Sequence, residues 1–162
     1  MIIEVTGDIL QSEADVIAHG VAPNDDFKQG LALSLRENWP ALYKDFRHYC
    51  QQHHPKPGNL WFWGGPGGTR IYNLLTQAGA YEHGSHPGKA TIENVNHCLR
   101  KLHQELEKSE YKSLAMPRLA TGVGGLDWTD VRPLIDRHLG EMDMRVILYT
   151  TYRAGEKADE GL

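Results

Sequence analysis

The chain has 162 residues, of which 17 are Lys or Arg and 21 Asp or Glu, giving a formal net charge of −4 at pH 7. That length suits one domain with one core, and a composition 40% hydrophobic and 23% charged lies outside the range of disordered or membrane chains. The acidic balance excludes a generally basic surface that wraps nucleic acid by counterion release, leaving only a local basic groove open.

The opening MIIEVTGDIL has no basic stretch before its apolar run, and no apolar run approaches about 18 residues. Neither export nor membrane insertion is expected, and the expected location is the cytoplasm. Cys50 and Cys98 fall in helix-like segments with no CxxC spacing, which predicts buried free thiols rather than a disulfide or thiolate metal site.

Taken in order, short apolar runs alternate with longer segments of helical period, the pattern of a layered α/β domain. Strands are predicted over Met1–Val5, Asp15–His19, Leu60–Trp63, Arg70–Leu75, Ser113–Pro117 and Arg145–Thr151. Most are continuous apolar runs, as expected of a central sheet covered on both faces. Helices are predicted over Gly30–Asn38 and Ala41–Gln52, split at Trp39-Pro40 because a proline disfavours helical geometry in the residue before it. The glycine-rich Gly64–Gly68 reads as a hairpin turn. Over Thr91–Leu106, Ile92, Val95, Leu99, Leu102 and Leu106 make an apolar stripe at helical spacing. A last helix, Asp127–Leu139, starts on a capping aspartate and stops before Gly140. Arg153–Leu162 lacks large apolar residues until its end and is expected to be a flexible tail, with the domain over 1–152.

Three strand-to-helix loops gather the residues that could do chemistry. The densest in glycine runs from Pro117 to Trp128, through Ala120, Thr121, Gly122, Val123, Gly124 and Gly125. Without Cβ atoms its amides can turn toward an anion, and a helix start follows, so it could cradle a diphosphate. A mere glycine-rich connector fits the same residues, and neither GxxxxGK[ST] nor GxGxxG is present. The second loop, Gly20–Gly30, leaves a strand ending in His19 and reaches a helix. Two such loops on neighbouring strands form one cleft where open α/β sheets hold ligands. The third, Thr76–Lys89, holds His83 and His86 at HxxH spacing with no third ligand, so no metal site is expected. Asp8 follows the first strand and suits either a turn cap or an acceptor for the amino group of a base.

Four of these stretches, Val5–Leu10, Asp15–His19, Lys28–Ala32 and Met116–Trp128, together resemble the macrodomain family, over about residues 1–152. The similarity is to the branch with terminal ADP-ribose glycohydrolases, DNA ADP-ribosyl glycohydrolase antitoxins and ADP-ribose 1″-phosphate phosphatases. It implies a three-layer α/β/α sandwich with a central mixed sheet that binds ADP-ribose. By the same resemblance Asp8 accepts from the adenine amino group beside the Ile9 amide. Lys28, Gln29, Gly30 and Leu31 lie near the distal ribose and diphosphate, and Ala120, Thr121, Gly122, Val123, Gly124 and Gly125 hold the diphosphate. His19 matches a histidine implicated in the phosphatases.

Three departures matter. Where lysine-dependent members place a nucleophilic lysine after the Leu-Thr strand end, this chain has Gln77, which cannot form a Schiff base. Where some carry a loop aspartate, this chain has Gly124, and the nearest carboxylate is Asp127. An asparagine common after the second strand is replaced by Ala22, with Asn24 nearby. The expected activity is hydrolysis at the distal ribose by water, with His19 as acid/base, Gln77 holding the water and Asp127 polarising, on ADP-ribosylated acidic side chains or ADP-ribose 1″-phosphate. The alternatives are a reader without turnover and a DNA-directed hydrolase, the latter opposed by the acidic charge and Gln77. The expected partner is ADP-ribose or ADP-ribosylated protein, with no cofactor and no membrane, in a monomer.

Overall fold

A computed structural model of the chain describes residues 1–79 and 87–162. Six strands build one sheet: β1 (Ile2–Gly7), β2 (Val16–Val21), β3 (Leu60–Gly64), β4 (Arg70–Leu75), β5 (Ser113–Pro117) and β6 (Arg145–Tyr152). Their order is β1-β6-β5-β2-β4-β3. Neighbours run parallel except β3, which pairs antiparallel with β4 across the Gly64–Gly68 turn. The sheet is therefore mixed, with an antiparallel strand at one edge.

The helices are α1 (Gly30–Asn38), α2 (Pro40–His53), α3 (Ile92–Lys108) and α4 (Trp128–Leu139). Because side chains alternate across a strand, each apolar strand feeds two cores. Ala18, Leu74, Leu114, Met116, Val146 and Leu148 pack with the buried stripes of α3 and α4. Ile17, Ile71, Ala115 and Ile147 pack with Leu35, Leu42 and Phe46 of α1 and α2. This is the α/β/α sandwich the sequence implies. Trp39 (φ −132°, ψ 80°) breaks the first helix pair, and Pro40 takes the opening position of α2, where its missing N–H is no loss. In α3 the stripe is Val95, Cys98, Leu99, Leu102 and Leu106, while Ile92 at the first position stays 39% exposed. Both cysteines are free and buried. No helix among the described residues is long and apolar enough to cross a membrane. His83 and His86 lie outside the described residues.

The last ten residues do not fray. They turn back over the end of β1, where the Asp8 amide donates to the Glu156 carbonyl (2.7 Å) and the Gly155 amide to the Asp8 carboxylate (2.8 Å). Glu160 is buried, and its carboxylate accepts from the Ser12 hydroxyl (2.6 Å), the Glu13 amide (2.8 Å) and the Tyr149 hydroxyl (2.8 Å). The expectation failed because it weighed apolar content alone, and this segment is anchored by polar groups. Glu160→Ala strands three donors, each accustomed to a charged acceptor, and should cost about 1–3 kcal/mol in a urea titration. An unchanged midpoint would mean that the docked tail contributes nothing to stability.

Candidate functional site

In an open sheet of parallel strands, ligands sit beyond the carboxyl ends of the strands. Here a cavity of about 300 Å³ opens there, lined by His19 and Gly20 from β2, Pro117 at the end of β5, and Tyr149 and Tyr152 from β6. The start of α1 (Gly30–Ala32), Asp25, Asp26, Gln77, Arg118 and residues 120–124 of the glycine loop also line it. A second cavity of about 370 Å³, lined by Gly7, Ile9, Leu10 and Ser34, shares Gly30, Leu31, Pro117, Tyr149 and Tyr152 with the first. The two form one continuous cleft with an apolar end and a polar end.

The polar end is built around His19. The β2–β4 register sets His19 opposite Asn73, and their side chains meet at 2.6 Å between Nε2 and Oδ1. Burial pushes the imidazole down to about 4, the hydrogen bond to Asn73 pulling weakly the other way. At neutral pH the ring is uncharged. Its Nδ1 is buried without a partner among the described residues. Phe27 packs its ring edge-to-face against the imidazole at 5.9 Å.

Phe27 reaches that position through an unusual backbone. Its φ of +54° is left-handed and unfavourable for an aromatic residue. Asp25 holds it there, one carboxylate oxygen accepting from the Phe27 amide and the other from the Ala22 amide, each at 2.9 Å. Burial raises the Asp25 carboxyl above its usual range, and the two amides oppose that rise. Neither Asp25 nor Asn73 is a candidate in the sequence reading. For Asn73 the signal was a lone amide inside an apolar central strand, which must be satisfied to be tolerated.

The glycine loop is held shut by its own backbone. Ala120 sits at φ +63° and Gly125 at φ +76°, and the Leu126 amide closes onto the Ala120 carbonyl at 3.0 Å. A Cβ on Gly124 would lie 2.5 Å from that carbonyl oxygen and 3.0 Å from Ala90 Cβ, so position 124 has no room for a side chain. Gly122, in contrast, has open space before it. The Ala90 amide donates to the Gly124 carbonyl (2.9 Å), tying the loop to the strip that follows Gln77. Gln77 is buried, and its Nε2 donates to the Gly88 carbonyl at 3.1 Å.

Of the residues the sequence singles out, His19, Gln77, Gln29, Gly30, Leu31, Ala120, Thr121, Gly122, Val123 and Gly124 all line the polar cavity. Ile9 lines the apolar one. Lys28 and Asn24 are exposed and outside the lining, as is Gly125, which packs beneath the Lys89 side chain. Asp127 is also outside. It caps α4, accepting from the Thr129 amide (2.9 Å) and hydroxyl (2.8 Å), which hold its carboxyl below its ordinary range. Asp8 is buried beside the apolar cavity, its two oxygens accepting from Leu10 and Gly155 amides.

Residues 28–135 match the Macro domain family. The chain is 25% identical over 142 residues to a DNA ADP-ribosyl glycohydrolase of Thermus aquaticus, covering 86% of this chain and 38% of that protein. It is 32% identical over 83 residues to the bovine ADP-ribose glycohydrolase OARD1, covering 51% of each. The chain thus spans less than two thirds of either relative. Among solved structures, Thermosipho africanus DarTG in complex with ADP-ribose superposes with a TM-score of 0.81 at 22% identity, over 99% of this chain and 43% of that one.

Two outcomes test this geometry. Gly122→Val projects into open space and should leave the melting temperature nearly unchanged while narrowing the cleft, whereas Gly125→Val, forced to hold a positive φ, should cost about 1–3 kcal/mol. Equal losses in a thermal melt would contradict the loop conformation. The buried neutral His19 also sets a pH dependence. Its folded value, about 4, lies below the ordinary histidine value of 6.5, so the unfolded chain binds more protons between them. Stability is full above about pH 6.5 and falls as pH drops toward 4, by about 3 kcal/mol at most. Denaturation midpoints across this range, compared with His19→Ala, would show the slope reduced, with His138, which burial also lowers, supplying a remainder of the same sign.

Proposed function

The chain belongs to the macrodomain family, and on that premise we propose that its cleft binds ADP-ribose and hydrolyses derivatives of it at the distal ribose by direct attack of water. Adenine takes the apolar end near Ile9, Leu10 and Tyr152, with Asp8 at its margin. The diphosphate lies against the amides of residues 122–124 and the start of α1, where N–H groups without a main-chain acceptor favour an anion. The distal ribose then reaches His19 and Gln77. Relatives named as glycohydrolases and the DarTG complex with ADP-ribose support this reading.

The observation that carries it is the placement of His19 beside Gln77 in the cavity wall, its Nε2 tied to Asn73 and its ring held uncharged by burial. A water oxygen forms a bond to C1″ while the bond from C1″ to its substituent breaks, the electron pair leaving with the substituent. His19 takes the proton released by the water and passes it to solvent. The anionic diphosphate raises the affinity of that imidazole for the proton. Among the described residues, no group lining the polar end is suited to protonate a leaving group: His19 is neutral, both oxygens of Asp25 accept amides, and Asp26 accepts from the Lys28 amide. The substituent must depart as a stable anion, which a carboxylate or a phosphate does and a nucleobase nitrogen does poorly. The substrates favoured are ADP-ribosylated acidic side chains and ADP-ribose 1″-phosphate, ahead of ADP-ribosylated DNA. Gln77 offers its carbonyl oxygen to orient the water, its nitrogen being tied to Gly88.

A non-catalytic reader is the second reading, favoured by position 124, where the backbone admits no carboxylate. Titration calorimetry with ADP-ribose tests what both readings share, and no heat at millimolar ligand sinks both. Turnover separates them. His19→Ala should lower hydrolysis of a glutamate-linked ADP-ribosyl peptide about 10²- to 10⁴-fold with affinity for ADP-ribose held within a few fold, and Gln77→Ala should cost less. Borohydride should trap no covalent adduct. Binding without turnover on ester, phosphate and DNA-linked substrates would leave the reader standing.

A further inference from the structure

The histidine of the polar end is held by a residue that the hydrolase reading leaves without a role. Asn73 is completely buried in β4 and does not line the cleft. It lies between two partners on the neighbouring strands: the register sets it opposite His19 on β2 and opposite Trp61 on β3. Its Nδ2 donates to the Trp61 carbonyl at 3.2 Å, and its Oδ1 meets His19 Nε2 at 2.6 Å.

We propose that Asn73 is a positioning residue: it fixes His19 as the tautomer with hydrogen on Nε2, so that Nδ1 is an obligate acceptor for a donor that ligand or water brings into the cleft. The argument is one of donors and acceptors. A main-chain carbonyl can only accept, so the end of the Asn73 amide facing Trp61 must be the NH₂. The end facing His19 is therefore oxygen, which also only accepts. The hydrogen between them must belong to the imidazole. A neutral ring carries one N–H, so Nδ1 has none. That nitrogen is buried with no partner among the described residues, an arrangement that costs free energy unless something else supplies the hydrogen bond.

The surroundings keep the ring from escaping this assignment. Phe27 closes on one side, edge to face, on a backbone that Asp25 holds in the left-handed region. Asn73, being neutral, orients the imidazole as a carboxylate would but favours its charged form only modestly, and burial outweighs that, so it fixes direction without making the ring cationic. The hydrolase reading assigns His19 the proton released by water; this inference rests on that assignment and names the atom that receives it.

The test uses the whole chain with ¹⁵N-labelled histidine, His19 being assigned by its loss in His19→Ala. At neutral pH the His19 Nε2 should resonate as a protonated nitrogen and Nδ1 as an unprotonated one. Adding ADP-ribose should move the Nδ1 signal upfield as it accepts. In Asn73→Leu the single tautomer should give way to a mixture, and turnover of the glutamate-linked peptide should fall about ten- to a hundredfold with KM within a few fold. Asn73→Asp, which keeps an acceptor facing Nε2, should restore the Nε2–H and, as a carboxylate, should move the protonation of Nδ1 to higher pH. A proton on Nδ1 in the unmodified chain, an unmoved Nδ1 signal with ADP-ribose bound, or an unchanged tautomer in Asn73→Leu would each overturn the proposal. Should the unmodified chain turn over nothing, the hydrolase reading falls by itself, because the tautomer and the ADP-ribose response still decide the role of Asn73.

Discussion

A sheet sealed on both faces by helices cannot carry an unsatisfied polar side chain without loss of stability, and most of this site follows from how the chain meets that constraint. β2 and β4 are apolar runs interrupted once each, by His19 and by Asn73, and the parallel register brings the two interruptions together. Separately each would be a buried polar defect worth about 1–3 kcal/mol. Paired, and with the amide's other end on the Trp61 carbonyl, they leave only Nδ1 unmatched. That unmatched nitrogen belongs to a residue lining the cleft. Stability and chemistry thus share one hydrogen-bond chain, and the site is tied to the sheet rather than to a loop that could drift.

The two loops that complete the cleft show the same economy by different means. On the Gly20–Gly30 side, Asp25 holds Phe27 in a conformation that an aromatic residue would otherwise avoid, and the benefit appears at His19, which Phe27 confines. On the other side, the amide-to-carbonyl closure from Leu126 to Ala120 leaves Gly124 no space for a side chain. The lysine and aspartate that the resemblance leads one to look for are therefore absent for different reasons. Gln77 is a simple replacement at a position that still faces the cleft. Position 124 is a backbone feature, and restoring a carboxylate there would first require the loop to open.

The fold was legible because its signals are local. Continuous apolar runs, the Trp39-Pro40 break, the Asp127 cap and the stripe through Leu99 and Leu102 each dictate an element without reference to the rest of the chain. The lining of the cleft was legible in the same way, since its glycines and His19 stand at strand ends. What escaped was set by pairing over long separations. Asn73 gains its role only from strand register, and Asp25 only from a loop closing on itself. The polar anchor of the tail, Glu160 on Tyr149 and Ser12, has no local pattern at all, so apolar content alone misjudged it. Asp127 was misplaced for a related reason: spacing places it near the loop, whereas the helix start it caps holds it outside the lining.

Asp8 shows why residue roles here must be separated by more than one measurement. Its carboxylate holds Leu10 on one oxygen and Gly155 on the other, and its amide holds Glu156. Each carboxylate oxygen has a second lone pair, so engaging a base's amino group does not require releasing either amide. The side chain nonetheless closes the turn after β1 and anchors the returning tail before it meets any ligand. Removing it would disturb the apolar end of the cleft through Gly7 and Ile9 even if no base ever touched the carboxylate. A loss of ADP-ribose affinity in such a variant would be ambiguous by itself. It becomes informative when compared with Glu160→Ala, which loosens the same tail from its other anchor while leaving the Asp8 carboxylate in place. Binding lost in the first and kept in the second points to the carboxylate; binding lost equally in both points to the tail.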